Sequence, residues 1–140
     1  MDVRRGTLQI NQGTMKLDSI LVLGVPTGGS LVSNLGASGV INFNSGLISA
    51  VSADINNGSM MMLGDGSMTG ATYRMTKDAL GVAGTHSFAN GLLLNSNATL
   101  EGDGNIVGNV FGAEGAQVDI GQSPGIISVT GDFDNTIIHD

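Results

Sequence analysis

Residues 6–19, GTLQINQGTMKLDS, contain two short runs in which apolar and polar side chains alternate. Leu8 and Ile10 lie on either side of Gln9, and the run after Gly13 repeats this pattern. Successive side chains of a β-strand point to opposite faces, so each run predicts a strand with one buried and one solvent-facing side. The glycine that opens each run, Gly6 or Gly13, is typical of a turn.

The same unit of glycine or asparagine followed by alternating residues recurs at intervals of roughly 7 to 12 residues. No stretch keeps apolar residues at the i, i+3, i+4 and i+7 spacing of a helix, and the most helix-like window, 76–82, is short and is interrupted by Gly81. The sequence therefore predicts an all-β protein with almost no helix. Within these runs, alternation predicts that Ile41 with Phe43, and Val118 with Ile120, face the core. Further runs begin at Gly29, Gly39, Gly46, Gly58, Gly91, Asn97, Gly115 and Pro124.

Two strand arrangements fit these runs. Asn57-Gly58 and Asp65-Gly66 are typical of tight hairpin turns, which leaves an antiparallel fold open. The loose period favours a solenoid in which each coil of about 20 residues carries two or three short strands. We predict that residues 1–140 form a single β-solenoid domain, a right-handed parallel β-helix of roughly six or seven coils. This domain could equally be a segment of a longer chain.

Composition narrows the class of protein. Of 140 residues, 41% are hydrophobic and 12% are charged, which predicts a folded chain and not a disordered one. Only five residues are Lys or Arg and the net charge is −7, so we expect no nucleic-acid partner. No apolar run approaches the roughly 18 residues of a membrane helix, and no signal peptide is recognisable near Met1.

Two segments of the C-terminal half closely resemble a known repeat. They are GTHSFANGLLLNSNATLEGDGNIVGNV, residues 84–110, and GAQVDIGQSPGIISVTGDF, residues 115–133. Both resemble the autotransporter-associated β-strand repeat, which occurs in autotransporter passengers and in large exported bacterial proteins. The resemblance implies a parallel β-helix and a place at the cell surface or in extracellular material. Gly121 stands where the repeat usually has Pro, and the motif carries no catalytic residues.

Some β-helix proteins cleave polysaccharides with a pair of facing carboxylates, so acidic pairs were considered as catalytic candidates. Two pairs of carboxylates are two residues apart, and two cations could bind an acidic sugar. We interpret all six as solvent-facing or turn residues, because no long insertion is present to wall a groove, and we predict no enzyme activity. The residues are Asp132 and Asp134, Glu101 and Asp103, and Arg74 with Lys77.

The remaining polar motifs predict no catalytic, cofactor or metal site. His86 and His139 belong to no recognisable triad, and the sequence contains no cysteine. The turns LGDGSMTG and EGDGNIVG lack the strict repeat of calcium-binding loops. Met60, Met61 and Met62 are interpreted as core filling with at least one side chain inward. The sequons at Asn57 and Asn97 are attributed to chance.

The two ends of a solenoid leave strand edges uncovered unless another element caps them. We therefore predict end-to-end self-association, or contact with neighbouring coils of a longer chain, through Leu8, Ile10, Ile137 and Ile138. The predicted function is a structural subunit or segment of an exported surface or extracellular protein. An adhesin-like segment that binds a surface or carbohydrate is the alternative, and a polysaccharide-cleaving enzyme is a third.

Overall fold

The computed structural model describes residues 1–24, 38–120 and 125–134, and these ranges contain fifteen strands and no helix. The expected near-absence of helix is confirmed for this part of the chain. The strands are β1 (Asp2–Val3), β2 (Arg5–Ile10), β3 (Thr14–Leu23), β4 (Ser38–Phe43), β5 (Gly46–Asn56), β6 (Met61–Leu63), β7 (Ala71–Met75), β8 (Thr85–Phe88), β9 (Leu92–Leu94), β10 (Thr99–Gly102), β11 (Gly104–Val107), β12 (Val110–Gly112), β13 (Gln117–Asp119), β14 (Ile127–Thr130) and β15 (Phe133–Asp134).

The strands form two sheets, and all the strand pairs described are parallel. The six-stranded sheet has the order β15-β12-β9-β6-β4-β2. The nine-stranded sheet divides at its longest strand, β5. Residues 46–50 of β5 pair with β7, and residues 53–55 pair with β8. A first arm therefore runs β7-β10-β13 and a second arm runs β8-β11-β14, while β3 and then β1 lie on the other side of β5.

The predicted single right-handed β-helix of six or seven coils is wrong, because the strands divide between two parallel sheets of nine and six strands. The spacing of partners is also irregular. Thr14 pairs with Leu47, 33 residues later, whereas Thr99 pairs with Gln117, 18 residues later. Local alternation determines which face of a strand is buried, but it contains no information about which distant strand becomes the neighbour.

The interior consists of columns, meaning rows of residues that are paired from strand to strand. One column through the first arm joins Ile48, Tyr73 and Leu100, and all three are buried. Alternation predicted such inward faces correctly for Ile41 and Phe43, which are buried on either side of an exposed residue. Burial of these apolar columns supplies the main stabilisation, at about 25 cal/mol for each Å² removed from water.

The core is less well covered at its two ends. Its half-buried apolar members lie on or beside the outermost described strands. Ile120, which follows β13, is 52% exposed, so the prediction that it faces the core is wrong. β13 is the last strand of the first arm, and no further described strand lies against it. The half-buried residues are Met1, Val3, Leu8, Met15, Leu17, Val118, Ile127 and Val129.

Candidate functional site

A tyrosine and a histidine meet inside the protein where the two arms face each other. Tyr73 in β7 is 1% exposed and His86 in β8 is 0% exposed. The Tyr73 hydroxyl oxygen lies 2.7 Å from Nδ1 of His86, and the two rings pack edge to face with centroids 5.5 Å apart. A second edge contact joins Tyr73 to Phe88 at 5.9 Å. These are the most enclosed ionisable side chains that the structure describes with a direct partner.

Burial controls the protonation of this pair. It lowers the pKa of His86 from 6.5 to about 4, a shift that the Val51 carbonyl opposes, and it raises the pKa of Tyr73 well above its ordinary value. Both side chains are therefore neutral at pH 7. Nε2 of His86 is buried and has no hydrogen-bond partner among the described residues. Because neither ring reaches solvent, the pair cannot touch a dissolved substrate in this conformation.

Glu101 and Asp103, which were considered as a catalytic carboxylate pair, each lie beside a cation. Arg74 and Glu101 are direct cross-strand partners in β7 and β10, and Nη2 of Arg74 lies 2.9 Å from Oε1 of Glu101. Nζ of Lys77 lies 3.9 Å from Oδ2 of Asp103. The cations considered for acidic-sugar binding are thus adjacent to the carboxylates considered for catalysis. Such pairing lowers the charge that either group presents to a ligand.

Asp103 also stabilises the backbone next to it. Its Oδ1 accepts a hydrogen bond of 2.7 Å from the Ile126 N–H, which joins the turn between β10 and β11 to the segment that leads into β14. The other acidic pair is more open, because Asp132 and Asp134 are both exposed at the last described strand. The Asp132 N–H donates to Oδ1 of Asn109 at 2.9 Å.

The turn at Asp65 and the two sequons form hydrogen bonds that stabilise turns and strand stacking. The Ser67 side chain and N–H donate to Asp65 and hold its pKa below the usual value, as in a tight turn. Asn57 is buried, and its Oδ1 accepts a 2.7 Å hydrogen bond from the Ile41 N–H, so this sequon belongs to the core. Asn97 has a positive φ of 66° and donates to the Ser67 carbonyl. Within the described ranges, no group of three or more His, Cys, Asp or Glu could hold a metal ion.

The three consecutive methionines divide between the core and the surface. Met61 is 1% exposed, whereas Met62 is 53% exposed, which confirms that at least one of the three points inward. Met60 and Met62 line an open groove of about 300 Å³ together with Asn42, Asn44 and Asn95. The groove contains one charged residue, Asp65, and so carries no constellation typical of catalysis.

The predicted assembly residues fall partly within the described structure. Leu8 is half-buried and Ile10 is buried in β2, the outermost described strand of the six-stranded sheet. Ile137, Ile138 and His139 lie outside the described residues. Sequence analysis missed Tyr73 as the partner of His86. Their inward positions in two alternating strands were the available signal, but nothing local indicates that the two strands face each other.

Comparison of the chain with protein-family models, with curated proteins and with solved structures found no match. A search of the described residues for a helix long and apolar enough to cross a membrane also found none.

Proposed function

We propose that this chain is a structural, non-catalytic segment of an exported bacterial surface or extracellular protein. The observation that carries the proposal is the uninterrupted parallel pairing that links six strands in one sheet and nine in the other. Most of the described strands have six residues or fewer, so stability comes from columns shared by many strands and not from one local site. Such an arrangement is suited to holding a fixed spacing between the parts of a surface layer or fibre.

The polar side chains support this role. The buried pair of Tyr73 and His86 is closed to solvent, and the Arg74–Glu101 ion pair lies along a strand column. Catalysis of glycoside cleavage needs two carboxylates that are open to one substrate, with one of them able to hold a proton. Glu101 and Asp103 instead contact neighbouring strands and loops.

The proposed location at the surface rests on the resemblance of residues 84–133 to the autotransporter-associated repeat. The absence of cysteine from the sequence and the small share of charged residues are compatible with an exported structural protein. The neighbouring material could be other segments of a longer chain or further copies of this one.

Incubation of the purified chain with acidic and neutral polysaccharides tests the non-catalytic role. The structural proposal predicts that the release of reducing ends equals the background seen with the Glu101→Gln and Asp132→Asn variants. Cleavage by the wild-type chain that disappears in either variant would identify an enzyme and contradict the proposal. Unfolding curves of the three proteins control for loss of fold.

A further inference from the structure

The first and the last described strands follow the same path from one sheet to the other. The chain passes from β1 in the nine-stranded sheet to β2 in the six-stranded sheet, and it passes from β14 to β15 in the same way. Among the described residues, β1 pairs only with β3 and β2 only with β4, while β14 pairs only with β11 and β15 only with β12. Within the described ranges both paths therefore end at an outer backbone edge, and such edges accept further strands.

The columns define the register in which β1 and β2 of a second copy would continue the sheets beyond β14 and β15 of the first. In the nine-stranded sheet, a column that begins at Asp2 runs through successive partners to Thr130. In the six-stranded sheet, Leu8 pairs with Ile41, and extending the register of Phe43 with Leu63 by two residues places Ile41 beside Met61, from which successive partners lead to Phe133. A second copy added in this register places Leu8 over Phe133. In the single chain Leu8 is half-buried and Phe133 is exposed, so this contact would cover apolar surface on both.

The charges between these matched positions are complementary. The same register places Thr7 over Asp132, and Arg5 lies two residues before Thr7 in β2, close enough for its long side chain to approach the Asp132 carboxylate. Arg5 is exposed and forms no ion pair with a described residue, and Asp132 is exposed as well. Opposite charges on facing surfaces favour one register and speed the encounter of the partners.

We infer that a second copy of this chain stacks head to tail on the first, with residues 1–10 of one copy against residues 127–134 of the other. This inference rests on the proposed structural function and names the partner of its two edges. In this arrangement β3 of the second copy lies two strand spacings, about 10 Å, from β13 of the first. Lys16 in β3 and Asp119 in β13 are therefore farther apart across the junction than the residues of directly stacked strands.

Sedimentation velocity of the full 140-residue chain over a concentration series at low salt tests the inference. The wild-type chain is expected to form linear oligomers. Arg5→Glu or Asp132→Lys should each raise the concentration of half-assembly about tenfold, because an exposed attraction becomes a repulsion. The double variant Arg5→Glu with Asp132→Lys should restore assembly to within about threefold of wild type, since it re-creates an opposite-charge pair.

Lys16→Glu is the matched control, because it makes the same charge change on the same end of the molecule outside the proposed junction. It should weaken assembly clearly less than Arg5→Glu does, because its charge lies farther from the other copy, and circular dichroism should show the same thermal unfolding for all variants. Equal weakening by Lys16→Glu and Arg5→Glu would overturn the proposed register. A folded wild-type chain that stays monomeric at every concentration would overturn stacking by a second copy, while the structural function would still stand if the chain cleaves no polysaccharide.

Discussion

The hydroxyl of Tyr73 and Nδ1 of His86 lie 2.7 Å apart inside the protein, although the two residues belong to different arms of the nine-stranded sheet. This hydrogen bond joins the arms at a position that solvent does not reach. Its polar atoms are enclosed by apolar neighbours, so both the loss of a partner and the gain of a charge should be costly.

Acid should destabilise the fold through His86. The pKa of His86 is about 4 in the folded chain and is expected near 6.5 when unfolded, so the unfolded state binds the proton more readily. The stabilising contribution is complete above pH 6.5 and is lost as the pH falls toward 4. Urea unfolding at pH 7.5 and 4.5 should show a loss of roughly 2 to 3 kcal/mol from this residue.

Two histidine variants isolate this effect from the titration of carboxylates. His86→Leu should remove the pH-dependent loss, whereas His139→Gln, which changes the other histidine of the chain, should retain it. Equal pH dependence of the wild type and His86→Leu would show that His86 is not the responsible group.

Tyr73→Phe should lower the free energy of unfolding by about 1 to 3 kcal/mol, because it leaves Nδ1 of His86 buried without its hydrogen-bond partner. The ring contact with Phe88 is kept in this variant. Chemical denaturation of Tyr73→Phe, His86→Leu and the double variant forms a double-mutant cycle. The double variant should be more stable than the sum of the single losses implies, and strict additivity would argue that the two side chains do not interact.

Adjacent methionines offer a matched test of the core. Met61→Ala should lower the free energy of unfolding by about 2 to 5 kcal/mol, because removal of the fully buried Met61 side chain leaves a cavity in the core. Met62→Ala removes the same atoms from an exposed position and should change stability by less than about 1 kcal/mol. Thermal or urea unfolding measures both, and similar losses would contradict the assigned strand orientation.

Two glycines with the same backbone conformation differ in the space around them. Gly13 and Gly102 both have a φ of 99°, which strains any residue with a side chain. A Cβ at Gly13 meets no atom within 4 Å, whereas one at Gly102 overlaps the carbonyl oxygen of Met75. Gly102→Ala should therefore lower the unfolding midpoint more than Gly13→Ala does, and the reverse order in a thermal melt would be inconsistent with the packing of β10 on β7.

Local sequence predicted the orientation of many strand residues but not their assembly into sheets. Ile41 and Phe43 are buried as their alternation predicts, because the inward face of β4 packs against the hydrophobic core. The same alternation was wrong for Ile120, which lies at the outermost strand of its arm. The division into two sheets depends on partners 18 to 33 residues apart, such as Thr99 with Gln117 and Thr14 with Leu47, and no local pattern encodes those pairings.

For the candidate sites, the sequence indicated some of the residues but not their partners. Arg74 and Glu101 were both considered for sugar chemistry from their spacing along the chain, and both were interpreted as solvent-facing or turn residues. In the structure the relevant neighbour lies across the sheet, at 2.9 Å, and 27 residues away in sequence. Asn57 shows the same limit, because its hydrogen bond to Ile41 depends on the stacking of strands and not on the sequon that contains it.

Protease treatment of intact cells that make this protein tests its proposed place and role most directly. The account predicts that peptides of the chain are released from unbroken cells while a cytosolic marker protein stays intact. Protection of the chain until the cells are lysed would contradict a surface or extracellular structural segment.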